Sequence, residues 1–418
     1  MKTVVKNDML LKEYTVYTHP SGLKTYVYKM PGFSSFYAVF GTKYGSIDNV
    51  FSVRGEKTEV PAGIAHFLEH KMFECEDGDA FMKFSKTGAY SNAYTSFDKT
   101  CYLFSCSKMF YENLDILLDF VTHPYFTEQT VKKEQGIIGQ EITMYDDMPS
   151  WRVFHNLLGC LYEKHPVRID IPGTRQSISE ITPSLLYDCH STFYRPSNMF
   201  LAVCGDVDEQ RVFEAVDKCI KTDYLDPPSA IFPEEGLKSY KKSATQQMDV
   251  GKPLFALGFK DSGEKKPLLD LLAADLLLRI IAGDASPLYK RLLEQELIDE
   301  DFGSEYMCGR GFAAAIFEGA GEQPDAVAEA IMAEISRIKK EGIDPVLFEA
   351  VRRGALGSAL KQLNSAESVG TALTECAVRD EGLFLQFDLL RTIKPEDLLP
   401  RLSLFSEDRC ALSVINGK

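Results

Sequence analysis

The sequence predicts an α+β protein built from two homologous domains, and three observations support this prediction. The chain has 418 residues, a length that suits two domains of about 200 residues each. Segments that alternate like β-strands and segments with helical periodicity both occur along the chain. In addition, two segments of the first half have counterparts, in the same order, in the second half, which indicates a duplicated domain.

The internal repeat consists of a helix and a strand in each half. The segment YFTEQTVKKEQGIIGQEI, which begins at residue 125, resembles GIDPVLFEAVRRGALGSAL, which begins at residue 342. Each contains a G-x-x-G pair, Gly136 and Gly139 in the first and Gly354 and Gly357 in the second, at an offset of 218 residues. Each half also ends in an apolar strand after a polar turn, NMFLAVCGDV from residue 198 and DRCALSVING from residue 408. The shared order at matching ends favours duplication over the general similarity of helices.

A change of composition marks the boundary between the domains. The stretch DYLDPPSAIFPEEGLKSYKKSATQQ contains Pro227, Pro228 and Pro233 and has no clear period. We therefore expect a first domain over residues 1–225, a linker over residues 226–245 and a second domain over residues 246–418.

Alternating and periodic segments predict the elements of the first half. YTVYTHPSGLKTYVYKM predicts two strands around the turn HPSG, and FYAVFGTKYGS predicts a third strand. A helix is predicted next, because Ile64, Phe67, Leu68 and Met72 recur at helical spacing. Further on, AYSNAYTSFDKTCYLFSC is strand-like, YENLDILLDFV and the run from residue 127 to about 145 are helical, NMFLAVCGDV is a buried strand, and DEQRVFEAVDKCIK is a helix.

Charge and composition argue against several functional classes. The formal net charge of −15 would repel phosphate backbones, so we expect no nucleic-acid partner, and a cationic peptide is a more natural one. Charged residues interrupt the first segment, MKTVVKNDMLLKEYTV, so we do not expect it to act as a signal peptide. No window approaches the ~20 apolar residues that span a bilayer. The ten cysteines are scattered without a C-x-x-C pair, which is typical of free thiols in a reducing compartment. These features predict a cytoplasmic protein without membrane contact.

The stretch AGIAHFLEHKMFE contains two histidines and a glutamate that could form a metal site. On a helix, His66 and His70 share a face at i and i+4, and Glu69 lies beside them. Two imidazoles can bind one zinc ion, and the order H-x-x-E-H is that of the inverzincins, in which zinc polarises the scissile carbonyl and the glutamate takes a proton from water. Chance gives this motif in roughly one shuffled chain in a hundred, and a solvated helix face could carry the same letters.

A second helix supplies two carboxylates at helical spacing. Glu134 and Glu141, in KKEQGIIGQEITMY, are seven residues apart and therefore lie on one face, two turns along. A face with two acids is usually a solvated face. A catalytic zinc site with two histidines, however, needs a third protein ligand.

These motifs together resemble the M16 metallopeptidase family, which includes pitrilysin, insulin-degrading enzyme and the mitochondrial processing peptidases. His66-x-x-Glu69-His70 is followed, 71 residues after His70, by Glu141 in GQEITMY, and the resemblance implies that Glu141 is the third zinc ligand. It further implies one zinc ion per chain, with Glu69 as general base and Glu134 as an acid that orients the ligands.

The same resemblance implies the fold and the way in which substrate binds. Each domain would be an antiparallel β-sheet packed against helices. The segment SNAYTSFDKTCYLF matches the strand after the zinc helix, so Asn92, Ala93 and Tyr94 would contact the substrate backbone, and the peptide would add as a strand to a sheet edge. Length and the opening TKYGSIDN are similar to zinc-bearing subunits of the short bacterial branch.

The second half departs from the catalytic pattern. At the offset of 218 residues, Glu134 and Glu141 correspond to Arg352 and Ala359, and no H-x-x-E-H follows His70. The second domain is therefore expected to bind no zinc.

A further departure concerns an Arg–Tyr pair that the family carries in its second half. The matching stretch SPLYKRLLEQELIDEDFG has Leu292 and Asp299 at the two positions, with Arg291 and Tyr289 nearby in the wrong order and spacing. The resemblance thus implies a heterodimer in which a related zinc-less subunit supplies the pair, and a homodimer is the alternative.

The function predicted is that of a zinc-dependent endopeptidase acting on peptides or unfolded segments, such as a processing peptidase. Two alternatives remain open: a non-catalytic or regulatory subunit of a larger complex, and a zinc-dependent regulator that binds peptides without cleavage. His165 and His190 are single and unpatterned, which indicates packing or turn roles.

Overall fold

The computed structural model describes residues 1–418 as an alternation of strands and helices. The strands are β1 Lys2–Asn7, β2 Lys12–Thr18, β3 Lys24–Lys29, β4 Phe36–Thr42, β5 Val50–Val53, β6 Glu56–Glu59, β7 Glu74–Cys75, β8 Gly78–Asp79, β9 Tyr90–Thr95, β10 Thr100–Cys106, β11 Met199–Gly205, β12 Ser229–Ala230, β13 Ser243–Met248, β14 Leu254–Asp261, β15 Gly303–Gly309, β16 Phe312–Ala320 and β17 Cys410–Gly417.

The α-helices are α1 Ile64–Met72, α2 Ala80–Thr87, α3 Phe110–Thr122, α4 Glu128–Asp146, α5 Pro149–Leu161, α6 Arg175–Ser179, α7 Pro183–Phe193, α8 Glu209–Cys219, α9 Leu268–Ala282, α10 Pro287–Glu294, α11 Pro324–Glu341, α12 Pro345–Gln362, α13 Ala366–Arg379, α14 Leu385–Thr392 and α15 Pro395–Leu398. Short 3₁₀ turns cover Pro166–Arg168, Pro196–Asn198, Leu399–Leu404 and Glu407–Arg409. No helix is both long enough and apolar enough to cross a membrane.

The chain forms two compact units, and each takes a segment from the other half of the sequence. The first unit consists of residues 1–142, 170–231 and 360–385. The second unit consists of residues 143–169, 232–359 and 386–418. Residues 226–245, where we expected a linker, contain β12 and the first residues of β13. The sequence-based domain limits stay a prediction.

A seven-stranded sheet forms the centre of the first unit. Its strand order is β1-β2-β3-β11-β4-β10-β9, so β9 lies at one edge. All neighbours are antiparallel except β3 and β11, which run parallel. Helix α13 packs across β4 and β11, and α1 lies beside β9 and β10. Buried aromatic and aliphatic side chains fill the core, including Phe40, Phe67, Leu68, Tyr102, Leu114 and Leu201.

The second unit repeats this topology in a five-stranded sheet. Its order, β13-β17-β14-β16-β15, corresponds strand by strand to β3-β11-β4-β10-β9, and the one parallel pair, β13 and β17, occupies the same place. Helix α5 packs across β14 and β17. The prediction of two homologous α+β domains is confirmed, with one parallel pair in each otherwise antiparallel sheet.

The predicted elements of the first half agree with the observed ones, with one refinement. The segment AYSNAYTSFDKTCYLFSC is a hairpin in which β9 and β10 pair antiparallel around a turn at residues 96–99. The amide of Ser96 donates to the carbonyl of Lys99 at 2.8 Å and closes this turn. The hairpin places the last residues of β9 beside α1, which carries the H-x-x-E-H motif.

The isolated histidines and the cysteines have structural surroundings. Burial lowers the pKa of His165 to about 4, and its Nδ1 accepts from the amide of Val167. Burial likewise lowers the pKa of His190 to about 4, and its Nε2 donates to the carbonyl of Val121. All ten cysteines are free thiols. Both histidines thus pack in the interior, as their isolated positions indicated.

Candidate active site

A glycine with a left-handed backbone fixes the start of the zinc-motif helix. Gly63 has φ 88° and precedes α1. A Cβ atom at Gly63 would lie 2.2 Å from the carbonyl oxygen of Pro172, so no larger residue fits there without a shift of backbone. The hydroxyl of Ser177 donates to the carbonyl of Ala62 at 2.7 Å. These contacts set the direction in which α1 leaves the loop.

Helix α1 presents both histidines on one face. His66 and Glu69 are buried, and His70 is partly exposed. The imidazole centroids of His66 and His70 are 4.5 Å apart, as expected for positions i and i+4. The opposite face of α1, with Phe67 and Leu68 fully buried, holds the helix against the core.

Helix α4 brings its two carboxylates to the same place. Oε1 of Glu141 lies 3.6 Å from Nε2 of His66, and Oε2 of Glu141 lies 3.5 Å from Nε2 of His70. Oε1 of Glu134 lies 3.0 Å from Nδ1 of His70. The seven-residue spacing therefore places Glu141 next to the Nε2 atoms of both histidines, and Glu134 next to Nδ1 on the far side of the His70 ring. Ile138, between them in sequence, is buried and anchors the helix.

The three converging side chains have the donor types and separations of a zinc site. Donor atoms of His66, His70 and Glu141 all lie within 4.8 Å of one another. In a tetrahedral site with zinc bonds of about 2.1 Å, neighbouring donors are about 3.4 Å apart. The separations of 3.5 and 3.6 Å between the Nε2 atoms and Glu141 are close to that value. Two imidazoles and one carboxylate also leave the fourth position for water or substrate, which is the arrangement of catalytic zinc.

The two histidine rings are held in different ways. His70 donates its Nδ1 proton to Glu134, which leaves Nε2 as the nitrogen with a lone pair. Burial lowers the pKa of His70, but the hydrogen bond to Glu134 and the nearby carboxylates of Glu69 and Glu141 outweigh burial, so this pKa is raised. A cation and a proton would therefore compete for the lone pair of Nε2. Nδ1 of His66, in contrast, is buried without a hydrogen-bond partner.

Glu69 has a hydrogen-bond partner that the sequence reasoning missed. The hydroxyl of Thr95, the last residue of β9, donates to Oε2 of Glu69 at 2.8 Å. The two residues are 26 positions apart, and only the β9–β10 hairpin brings them together. A threonine at the end of a strand carries no signal of such a role, although TSFDKT lies inside the segment that the family resemblance singled out.

The strand expected to hold substrate forms one wall of a cavity beside the motif. The cavity, of about 630 Å³, is lined by residues that include Glu69, His70, Phe73, Phe81, Asn92 and Ala93. Strand β9 is an edge strand, so the polar backbone groups along one side of it have no strand partner.

The three residues expected to contact substrate differ in their orientation. Asn92 is exposed, and its side chain accepts from the amide of Ala93 at 2.9 Å. Tyr94 lies on the same face of β9 as Asn92, opposite Ala93 and Thr95, and packs against Cys101, where burial raises the pKa of its phenol. A contact between Tyr94 and substrate would therefore involve its backbone, and all three assignments stay predictions.

The corresponding helix of the second unit has no ligands at the matching positions. Arg352 forms an ion pair with Glu349 and donates to the carbonyl of Leu390, and Ala359 is buried. Both residues lie on α12, the counterpart of α4. These contacts are structural, and the expectation that the second domain binds no zinc stays a prediction.

Comparison with known proteins gives the same family for both halves of the chain. The family described as Insulinase (Peptidase family M16) matches residues 54–175, and the family described as Peptidase M16 inactive domain matches residues 180–355. The chain is 44% identical over 387 residues to YmfH of Bacillus subtilis (strain 168), described as an uncharacterized zinc protease, and the match covers 90% of each chain.

Solved structures agree with these matches. A protein from Alicyclobacillus acidocaldarius, described as an M16-like peptidase, superposes with a TM-score of 0.94 at 33% identity over 97% of this chain and 99% of that chain. A peptidase M16 inactive domain from Pseudomonas fluorescens shares the fold, with a TM-score of 0.83 at 15% identity over 97% of each chain. On the strength of the two family matches and of the extended identity to a zinc protease, the chain belongs to peptidase family M16.

Proposed function

We propose that this protein is a zinc-dependent endopeptidase that hydrolyses peptides or unfolded segments, in the manner of a processing peptidase. One observation carries the proposal: the donors of His66, His70 and Glu141 converge within 4.8 Å, and Glu69 lines a cavity beside them. A perturbed histidine and several acids in a cleft are typical of active sites. Zinc-protease relatives support the same reaction class.

Each residue has a defined task in the proposed reaction. His66, His70 and Glu141 would hold zinc, which supplies Lewis acidity toward the peptide carbonyl and makes water more acidic. Glu69 takes the proton of the attacking water as the oxygen–carbon bond forms, and delivers it to the amine nitrogen as the carbon–nitrogen bond breaks. Glu134 keeps the ring of His70 oriented through its Nδ1–H.

The substrate would bind as an added strand along β9. The free edge of β9 offers main-chain donors and acceptors, and Asn92 and Ala93 line the cavity next to Glu69. Main-chain pairing is tolerant of side-chain identity, so this mode suits extended peptides and unfolded segments. Folded proteins, whose backbones are already paired, would be poor substrates.

The decisive experiment separates metal binding from turnover. Glu69→Gln keeps the shape of the side chain and removes its ability to accept a proton, so we expect one zinc ion per chain, as in the wild type, and a loss of about 10²–10⁴-fold in kcat. Glu76→Gln, on an exposed neighbour, is the matched control. Products of a peptide mixture are identified by mass spectrometry, with and without a chelator.

The outcome separates the proposal from its alternatives. Hydrolysis that persists in Glu69→Gln or in the presence of chelator would remove this site from the reaction. A wild-type chain that binds zinc and peptide without cleaving any peptide would favour a non-catalytic or regulatory subunit instead.

A second subunit is part of the proposal. Leu292 is buried on α10 and Asp299 is acidic, so the positions aligned with the family's Arg–Tyr pair carry neither group. Loss of one donor to the developing oxyanion can cost about 10²–10³-fold in rate. We therefore expect low kcat/KM for the isolated chain and a rise on addition of a related zinc-less chain. Full activity alone would instead point to a local residue, such as Arg291 or Tyr289.

A further inference from the structure

The hydroxyl of Thr95 lies in a chain of polar contacts that begins at the candidate base. Its Oγ1 is 2.8 Å from Oε2 of Glu69 and 3.3 Å from Oγ1 of Thr100, its partner across the β9–β10 pair. Oγ1 of Thr100 is in turn 2.8 Å from the carbonyl oxygen of Tyr44. Thr100 is fully buried, so water does not compete for its hydroxyl.

Counting protons gives the direction of each contact. Each threonine hydroxyl has one proton to donate. The carbonyl of Tyr44 can only accept, so it takes the proton of Thr100. An ionised carboxylate also only accepts, so Glu69 takes the proton of Thr95. Neither hydroxyl has a second proton for the other, and the 3.3 Å contact between them does not compete with the bond to Glu69.

We propose that Thr95 is a positioning residue that holds the Glu69 carboxylate in its productive orientation. Its proton fixes Oε2 of Glu69, and the other carboxylate oxygen, Oε1, is then the one that accepts the proton of water. A glutamate side chain with no such bond would sample several rotamers, and misplacement of a base by about 1 Å can cost 10²-fold in rate. The proposal rests on the role of Glu69 proposed above.

The position of Thr95 on β9 gives this contact a second consequence. Thr95 ends the strand whose residues Asn92 and Ala93 line the cavity. A peptide paired with the free edge of β9 would take its register from the same strand that holds Glu69. Strand β9 would thus fix the position of Glu69 relative to the scissile bond, because residues of one paired strand cannot move independently.

Two substitutions at one position provide the test. Thr95→Val keeps the branched shape and removes the hydroxyl, whereas Thr95→Ser keeps the hydroxyl and removes the methyl group. We expect Thr95→Val to lower kcat by about 10–100-fold with KM and zinc content within about two-fold of wild type. Thr95→Ser should retain kcat within about two-fold. A merely structural role would not distinguish kcat from KM and would not be rescued by serine.

A double variant tests whether Thr95 acts through Glu69. In the Glu69→Gln background, Thr95→Val should cause no further loss of kcat, because residues that act as a unit are not additive. A further ten-fold loss in that background, or a Thr95→Val enzyme with unchanged kcat, would overturn the proposal.

A structural readout keeps the test independent of activity. In crystals of the metal-free proteins, the Glu69 carboxylate should leave its place in Thr95→Val and keep it in Thr95→Ser. An unmoved carboxylate in Thr95→Val would refute the positioning role even for a chain without peptidase activity. Inactivity of the wild type together with a displaced Glu69 in Thr95→Val would instead refute the proposed function and leave the positioning role standing.

Discussion

At the scale of single residues, the proposed zinc ligands and the acid that orients one of them should differ in their effect on metal affinity. We expect His66→Ala, His70→Ala and Glu141→Gln each to weaken zinc binding, because the histidine variants leave two ligands and Glu141→Gln replaces a carboxylate with a neutral amide oxygen. Glu134→Gln keeps all three donors and replaces the charged acceptor of the His70 Nδ1 proton with a neutral amide, so zinc affinity should fall by about 10–100-fold. Zinc titration with a chromogenic chelator measures both effects.

Glu128→Gln supplies the control for that series. Glu128 is exposed at the start of the same helix, α4, and is remote from the histidines in the heptad pattern. The Glu128→Gln protein should therefore bind zinc with the affinity of the wild type. Retention of metal at wild-type affinity in His70→Ala would show that the ligand assignment is wrong.

Buried histidines away from the site make stability depend on pH. The pKa of His190 is about 4 in the folded chain, against 6.5 ordinarily, because burial disfavours the charged ring. Between pH 6.5 and 4 the unfolded chain binds a proton that the folded chain does not, so stability falls as the pH falls through this window. The full effect is roughly 3 kcal/mol, at about 1.4 kcal/mol per pH unit.

A substitution isolates the contribution of His190. His190→Gln keeps a donor toward the carbonyl of Val121 and cannot titrate, so the decline in unfolding free energy between pH 6.5 and 4.5 should become shallower. Urea denaturation at four pH values measures the slope. Identical slopes for wild type and His190→Gln would contradict the assignment.

Some residues of the site could be predicted from the sequence because they are close together in it, whereas others meet only through tertiary packing. His66, Glu69 and His70 lie within five positions of one helix, so their spacing alone predicted a shared face. Thr95 could not be predicted in this way, because its contact with Glu69 depends on the pairing of β9 with β10 and on the packing of α1 against both strands. Tyr94 contacts Cys101 and does not line the cavity, and this contact likewise depends on the pairing of β9 with β10.

At the scale of elements, helix α13 approaches its sheet at a glycine. A Cβ atom at Gly370 would lie 2.3 Å from the ring of Tyr37 on β4, so Gly370→Ala forces the ring or the helix to move. We expect a loss of about 1–3 kcal/mol in stability, the usual cost of overpacking a core. Thermal unfolding of the variant measures this cost.

The matched control is a glycine on α12. Gly354 is exposed in the middle of that helix, and a Cβ atom there would meet nothing within 4 Å. Gly354→Ala should therefore raise stability by about 0.5–1 kcal/mol, because alanine favours the helix. Equal effects of the two alanines would show that α13 does not pack closely on β4.

At the scale of the whole molecule, the sequence predicts the duplication but not the exchange of helices. The repeated G-x-x-G helices correspond to α4 and α12, and the five shared strands have one order. The helices that follow, α5 and α13, lie in the unit opposite to their own half of the sequence. Periodicity shows that a helix has an apolar face, but not which of two similar sheets that face will cover.

Ion pairs and hydrogen bonds fasten α13 and the residues after it to the first unit. Glu375 pairs with Lys99 at 2.9 Å, and Asp380 pairs with Lys24 at 2.8 Å. The amide of Leu383 donates to the hydroxyl of Tyr14 at 3.2 Å, and Tyr14 is buried. The Lys24–Asp380 pair is exposed at both partners and is worth little, so we attribute most of the attachment to the buried face of α13.

This exchange predicts that the half of the chain with the H-x-x-E-H motif cannot fold alone. A fragment of residues 1–231 lacks α13, so the face of the sheet around Tyr14 and Tyr37 becomes exposed to water. We expect near-native helix content by far-ultraviolet circular dichroism, binding of a hydrophobic dye and no cooperative thermal transition, as in a molten state. A peptide of residues 360–385 should restore a cooperative transition and reduce dye binding, whereas the same peptide with a scrambled sequence should not. A fragment that melts cooperatively at one temperature with or without the peptide would show that α13 is dispensable. The continuous segment of residues 1–231 would then be sufficient to fold as a domain.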